Sequence, residues 1–176
     1  MKNRCLVILA LCSQLLTVDR GVSSPAEPLT VCEVIRDRTL LSGTVVSVRG
    51  ELVSGEHYSA LKATCSTSIV TGGLTWPNLI GLVSAHGKEA RLFDDEGMKL
   101  FSDKLLALAK KTGSGRVIVT VTGRVEGANR LEAWANEFGE MLGGSGYGFL
   151  GRFPVELTYR LMSDPVALKV TTDSKK

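Results

Sequence analysis

Five stretches of the chain read as β-strands, and the clearest of them alternate apolar and polar residues with a period of two, the mark of a half-buried β-strand. The first covers about 44–54, with Val46, Val48 and Leu52 on one face and Ser47, Arg49 and Glu51 on the other. Ser54-Gly55-Glu56 reads as a tight turn into a second strand, His57 to Cys65. A third strand is predicted over Trp76 to Ser84, despite Pro77 near its start, and a fourth over Val117 to Val125. The fifth alternates most clearly, with Phe153, Val155, Leu157, Tyr159 and Leu161 against Glu156, Thr158 and Arg160. One phrase is said twice: Val46-Ser47-Val48-Arg49-Gly50-Glu51-Leu52 is echoed by Val119-Thr120-Val121-Thr122-Gly123-Arg124-Val125. A glycine inside a strand marks a bend or bulge, so both strands are expected to coil at Gly50 and Gly123.

Two segments carry the helical period instead. Thr30 followed by Glu33 has capping-box spacing, which predicts a short helix to about Leu40, ending before Gly43. Met98, Phe101, Leu105 and Leu108 form an apolar stripe at spacings of three and four. The acidic run Asp94-Asp95-Glu96 suits the start of that helix, and Lys110-Lys111 with Gly113 suits its end. Residues 66–75 read as a polar loop, and 126–151 as a long connection with a short helix around Leu131–Met141. The order is three strands, one helix, two strands, which is the order of the OB-fold. The expected fold is therefore mainly β with some α: a five-stranded OB-like barrel, a helix between strands three and four, and a short N-terminal helix. A sandwich of the same strands is the alternative.

The 176 residues suit one domain plus an export signal, and 44% hydrophobic with 22% charged residues is ordinary globular composition. Lys2 and Arg4 precede an apolar run from Cys5 to Leu16, and small residues follow at Ser23, Ser24 and Ala26. This is the pattern of a signal peptide over 1–26, too short for a comfortable membrane span. Leu11 is too bulky to precede a lipidated Cys12. The expected organisation is a signal peptide at 1–26, the domain at 27–166 and a polar tail at 167–176, exported to a periplasm or the exterior. Lys2, Arg4, Arg20 and Asp19 leave with the signal, so the +3 of the whole chain falls to +1. No strong pull on nucleic acid remains. Of four cysteines only Cys32 and Cys65 stay, and two cysteines in an exported domain most often pair as a disulfide. Zinc is the alternative, but the histidines, His57 and His86, and the cysteines lack metal-site spacing.

Val31-Cys32-Glu33-Val34-Ile35, the strand at 46–50, Leu61 to Cys65, Val121-Thr122-Gly123-Arg124 and Gly146-Tyr147-Gly148-Phe149-Leu150-Gly151 occur here in that order. In this the chain, from about Leu29 to Val166, resembles a group of small exported bacterial proteins with OB-like domains, largely uncharacterised. The resemblance implies fold and export, and no established activity. The group often carries histidine where this chain has Phe149.

Candidate chemistry is sparse. Ser59-Ala60-Leu61-Lys62 and Lys111-Thr112-Gly113 have the spacing of two serine β-lactamase motifs. The first falls in a strand, where residues three apart face opposite ways, and the second is a helix end. Asp94-Asp95-Glu96 is better explained as a helix start than as a metal site. Glu132, Glu137 and Glu140 lack a nucleophile or metal partner. OB-folds bind ligands across strands two and three and the loops joining strands 1–2 and 4–5. Arg49, His57, Tyr58, Trp76 and Arg124 are the candidate lining of that face, suited to stacking on bases or sugars. No catalytic residue, metal or cofactor is expected. The first expectation is a non-catalytic module binding an unidentified ligand or envelope protein. A hydrolase using carboxylates of the 126–151 connection and a nucleic-acid-binding OB-fold are the alternatives, with nucleic acid disfavoured by the charge.

Overall fold

The computed structural model describes residues 27–85, 93–112 and 116–168. The signal peptide expected at 1–26, His86, Gly113 and the end of the expected tail lie outside these residues. The chain opens with β1 (Leu29–Thr30), α1 (Val31–Arg36) and α2 (Arg38–Leu41), then β2 (Val45–Gly55) and β3 (Tyr58–Lys62). A small hairpin, β4 (Val70–Thr71) with β5 (Leu74–Thr75), precedes β6 (Leu79–Ser84). Then come α3 (Asp95–Thr112), β7 (Arg116–Gly127), the hairpin β8 (Ala133–Ala135) and β9 (Met141–Gly144), and β10 (Val155–Leu168). The molecule is mainly β, and one large sheet dominates it.

Five strands of that sheet each pair on two sides. β2 pairs with β3, β3 with β6, β6 with β10 and β10 with β7, and β7 pairs back to β2. All these pairs are antiparallel except β6 with β10. The valine alternation is enforced as expected: Val48, Val119 and Val121 are fully buried, and Val46 packs at the core's edge. Leu61, Ile80, Val125, Val155 and Leu157 fill the same core. α1 adds Val31, Val34 and Ile35 at one side, and α3 adds Phe101, Met98 and Leu105 at another.

The helical signals act as physical chemistry requires. Thr30 Oγ1 accepts from Glu33 N, and Thr30 N donates to Glu33 Oε2 at 2.7 Å, satisfying donors the first turn of α1 would leave bare. The helix is not continuous to Leu40: it breaks at Asp37, whose side chain is held by Arg36 at 2.7 Å. Asp94 Oδ1 accepts from Gly97 N at 2.8 Å at the head of α3, so that acid serves the helix start.

Several expectations need correction. Across the β2–β7 pairing Gly50 and Gly123 stand in register, opposite Val119 and Val46, so no bulge marks Gly50, whereas Gly123 does face a bulge across its other pairing. Each is small because something presses on it: Val31 lies over Gly50, and the backbone of Thr158 and Tyr159 lies over Gly123. The register shift sits instead on β10, between Tyr159 and Leu161, facing Gly123 and Thr122. The helix expected at 131–141 is the β8–β9 hairpin. Asn136 Oδ1 accepts from Phe138 N and Glu140 N, and Gly139 turns at φ +78°, so a side-chain-stapled turn overrides helix propensity there. β10 does not stop near Leu161; it runs past Pro165 to Leu168, pairing with β7 beyond a second register shift. The third strand starts at Leu79 rather than Trp76, and the second ends at Lys62. Cys32 and Cys65 form a disulfide with Cα atoms 5.6 Å apart, tying α1 to the segment after β3.

Candidate functional site

β3 and β6 supply the floor of the site. Their register sets Ala60 opposite Gly81, Leu61 opposite Ile80 and Lys62 opposite Leu79. Leu61 and Ile80 point into the core, so alternation sends Tyr58, Ala60, Lys62, Leu79 and Gly81 to the outer face. Ala60 and Gly81 make this part of the face shallow, and Phe153 lies down in it, 4% exposed. A Cβ on Gly81 would stand 2.7 Å from the Phe153 ring, so only glycine admits the ring there. The Phe153 ring meets Tyr58 edge-on, with centroids 5.4 Å apart. Phe153 is held by its own loop: its N–H donates to Tyr147 O at 3.1 Å, and Tyr147 N donates to Phe153 O at 2.8 Å.

Three hollows run along this face and share walls. The first, about 160 Å³, lies among Tyr58, Pro77, Leu79, Arg152 and Phe153. The second, about 450 Å³, shares Tyr58, Pro77 and Leu79 with it and adds Asn78 and Lys62. The third, about 640 Å³, shares Lys62, Ala63 and Thr64 with the second and reaches Arg49, Glu51 and Arg116. Together they form one groove across β6, β3 and β2, ending at the head of β7.

Charge is distributed unevenly along the groove. Glu51, which alternation placed among solvated residues, is only 8% exposed. Arg116 covers it in a two-bond fork, with Nε 2.6 Å from Oε1 and Nη2 2.5 Å from Oε2. Those bonds hold the Glu51 carboxyl below its ordinary pKa, against burial, and the charges of Arg116 and Lys62 add to the effect. The acid is thus committed to Arg116. Arg49 reaches Thr120 Oγ1 at 3.4 Å, and Arg152 donates to Met141 O at 3.2 Å.

The five residues singled out in the sequence are split by the fold. Tyr58 and Arg49 line the groove, in its first two hollows and its third. His57 stands at the neighbouring turn, its Nε2 3.9 Å from Glu56 Oε2, and lines none of the three hollows. Trp76 is 1% exposed and presents no face to a ligand; its Nε1 donates to Thr71 Oγ1 at 3.0 Å and pins the β4–β5 hairpin. Arg124 lies far along β7 from Arg116, its Nε 3.1 Å from Glu126 Oε1. Lys62, Pro77, Asn78, Arg116, Arg152 and Phe153 were missed. Lys62 was legible, since it shares a strand face with Tyr58. Arg116 was not, because only strand pairing brings it to Glu51.

The carboxylates of the long connection are dispersed. Glu132 pairs with Arg130 at 2.9 Å, and Glu140 accepts from Asn136 Nδ2 at 3.0 Å. A different acidic pair forms across β7 and β10, where Glu126 and Glu156 stand directly opposite. Burial, and then the Glu126 charge, push the Glu156 carboxyl up, and Tyr147 is raised by burial and by both acids. Among the described residues no three or more His, Cys, Asp or Glu side chains gather as a metal site. Ser59 and Lys62 lie on opposite faces of β3, as strand geometry demands. No family model, curated protein or solved structure matches this chain.

Proposed function

We propose that this chain is an exported, non-catalytic binding module built on an OB-like barrel, with its ligand in the groove over β3 and β6. The ring of pairings supports the barrel. Counting β2, β3, β6, β7 and β10 as strands one to five, the order is 1-2-3-5-4 and back to 1, with α3 between three and four. Five strands that close leave no long edge, as a small barrel requires. The resemblance to small exported bacterial proteins with OB-like domains points the same way. Export agrees with the Cys32–Cys65 disulfide, since such bonds persist in oxidising compartments. No helix among the described residues is long and apolar enough to cross a membrane.

One observation carries the assignment of the site. The groove lies on strands two and three, and its first hollow is closed by Arg152 and Phe153 from the connection between strands four and five. That is the surface on which OB-folds hold ligands. Exposed Tyr58 offers a ring, while Lys62, Asn78 and Arg152 offer polar contacts around it. Amide-resolved NMR titration of the protein with short oligosaccharides, oligopeptides and oligonucleotides tests the reading. Shifts are expected at Tyr58, Lys62, Asn78, Leu79 and Arg152. Shifts centred elsewhere, or none with any class, would contradict it.

A further inference from the structure

Resting on the groove reading above, we propose that the ligand is an acidic oligosaccharide: an extended chain of sugar rings carrying carboxylates. The groove's cations are spread along its length. Arg152 borders the first hollow, Lys62 stands between the second and third, and Arg49 and Arg116 border the third. Glu51 and Arg116 neutralise one another in their fork, which leaves Arg152, Lys62 and Arg49 against one further lining acid, Glu27. A ligand with negative groups spaced along it meets a cation in each hollow. A single small anion would use only one.

The remaining lining favours sugar over other polyanions. Thr64 and Asn78 offer hydroxyl and amide groups that match sugar hydroxyls. Tyr58 is 38% exposed and can face one ring, whereas Trp76 and Phe153 are buried and leave no row of aromatics for successive bases. An acidic peptide would gain most by adding to a sheet edge. β3 and β6 offer none, because β3 already pairs with β2 and β6, and β6 with β3 and β10, and the edge strand beside the third hollow, β1, is only two residues long. The two larger hollows, about 450 and 640 Å³, each fall within the roughly 300–1,000 Å³ that takes a compact organic ligand. A chain of several rings, rather than one, is needed to span them.

The test is isothermal titration of the purified, disulfide-bonded protein with oligogalacturonate and with its neutral methyl ester. A thymidylate oligomer and oligoglutamate of similar charge serve as competing polyanions. Oligogalacturonate is expected to bind, more tightly as it lengthens and more weakly with added salt, and the ester to bind at least about tenfold more weakly. Lys62→Gln and Tyr58→Ala are each expected to cost about tenfold in affinity, with unchanged circular dichroism. Equal binding of acid and ester, both lost in Tyr58→Ala, would overturn the acidic ligand and leave the groove standing. Tighter binding of thymidylate or oligoglutamate, lost in the same variants, would do likewise. Failure of every probe, or binding indifferent to both substitutions, would overturn the inference and the groove reading together.

Discussion

Two carboxylates, Glu51 and Glu156, are shifted in opposite directions by their surroundings. Glu51 is held ionised by the Arg116 fork, so its folded pKa lies below the unfolded one. A depressed carboxyl contributes stability above its unfolded pKa and loses it as pH falls through the folded value. Glu51→Gln is therefore expected to lower stability at pH 7, with the gap to wild type closing in acid; urea unfolding at several pH values measures this. A gap that stayed constant into acid would show the fork to be energetically idle. Glu156 is the reverse case, raised by burial and by Glu126 across the ladder. A raised carboxyl contributes its stability below the unfolded pKa and loses it as pH rises through the folded value. Glu156→Gln keeps the neutral form throughout. It is expected to be more stable than wild type at pH 7 and no more stable below about pH 4, under the ordinary carboxylate range. A variant weaker than wild type at pH 7 would mean that the acid is ion-paired rather than crowded.

Among the elements, the disulfide ties α1 to the segment after β3, beside the burial of Val31, Val34 and Ile35 in the core. It closes a separation of 33 residues, for which chain-entropy arguments give on the order of 3–4 kcal/mol. Cys32→Ser with Cys65→Ser is expected to lower unfolding free energy by about that much in denaturant melts, and a loss under about 1 kcal/mol would contradict it. How well elements could be read from the sequence depended on how locally they are determined. β2, β7, β10 and α3 were legible because a buried face imposes its period on the chain: Val119 and Val121 inside, Phe101 inside. The β8–β9 hairpin was not, because Leu131, Ala133 and Glu137 suit a helix and only the bonds to Asn136 Oδ1 decide otherwise. Pro165 reads as a stop, yet β10 passes it, because Val166 and Ala167 find partners in Ile118 and Val117. The site was half legible. Tyr58 and Arg49 came from strand faces, but Trp76 is aromatic for the sake of its own hairpin, and Phe153 reads as a strand residue until Gly81 is seen beneath it.

At the scale of the whole molecule, closure of the strand ring brings Arg49 of β2, Lys62 of β3 and Arg152 of the last connection into one groove. The cations there are few, and the chain nets only +3, or +1 over residues 27–176. Single-stranded DNA or RNA is accordingly expected to bind no better than the nonspecific range, roughly 10⁻⁴–10⁻⁶ M at physiological salt. Fluorescence anisotropy with labelled oligonucleotides measures this, and submicromolar, steeply salt-dependent binding would reverse the ordering of ligands argued above. The far end of the groove, where Arg116 of β7 meets Glu51 of β2, exists only if the ring closes, and closure rests on the pairing of β2 with β7, Val48 opposite Val121 and Gly50 opposite Val119. NMR detection of cross-strand contacts between these residues is the most direct measurement. The expected result is backbone contacts from β2 to both β3 and β7, with slow amide exchange along Val46–Leu52. Rapid exchange there, with no contact between β2 and β7, would show an open sheet and remove the barrel together with the Arg116 end of the groove.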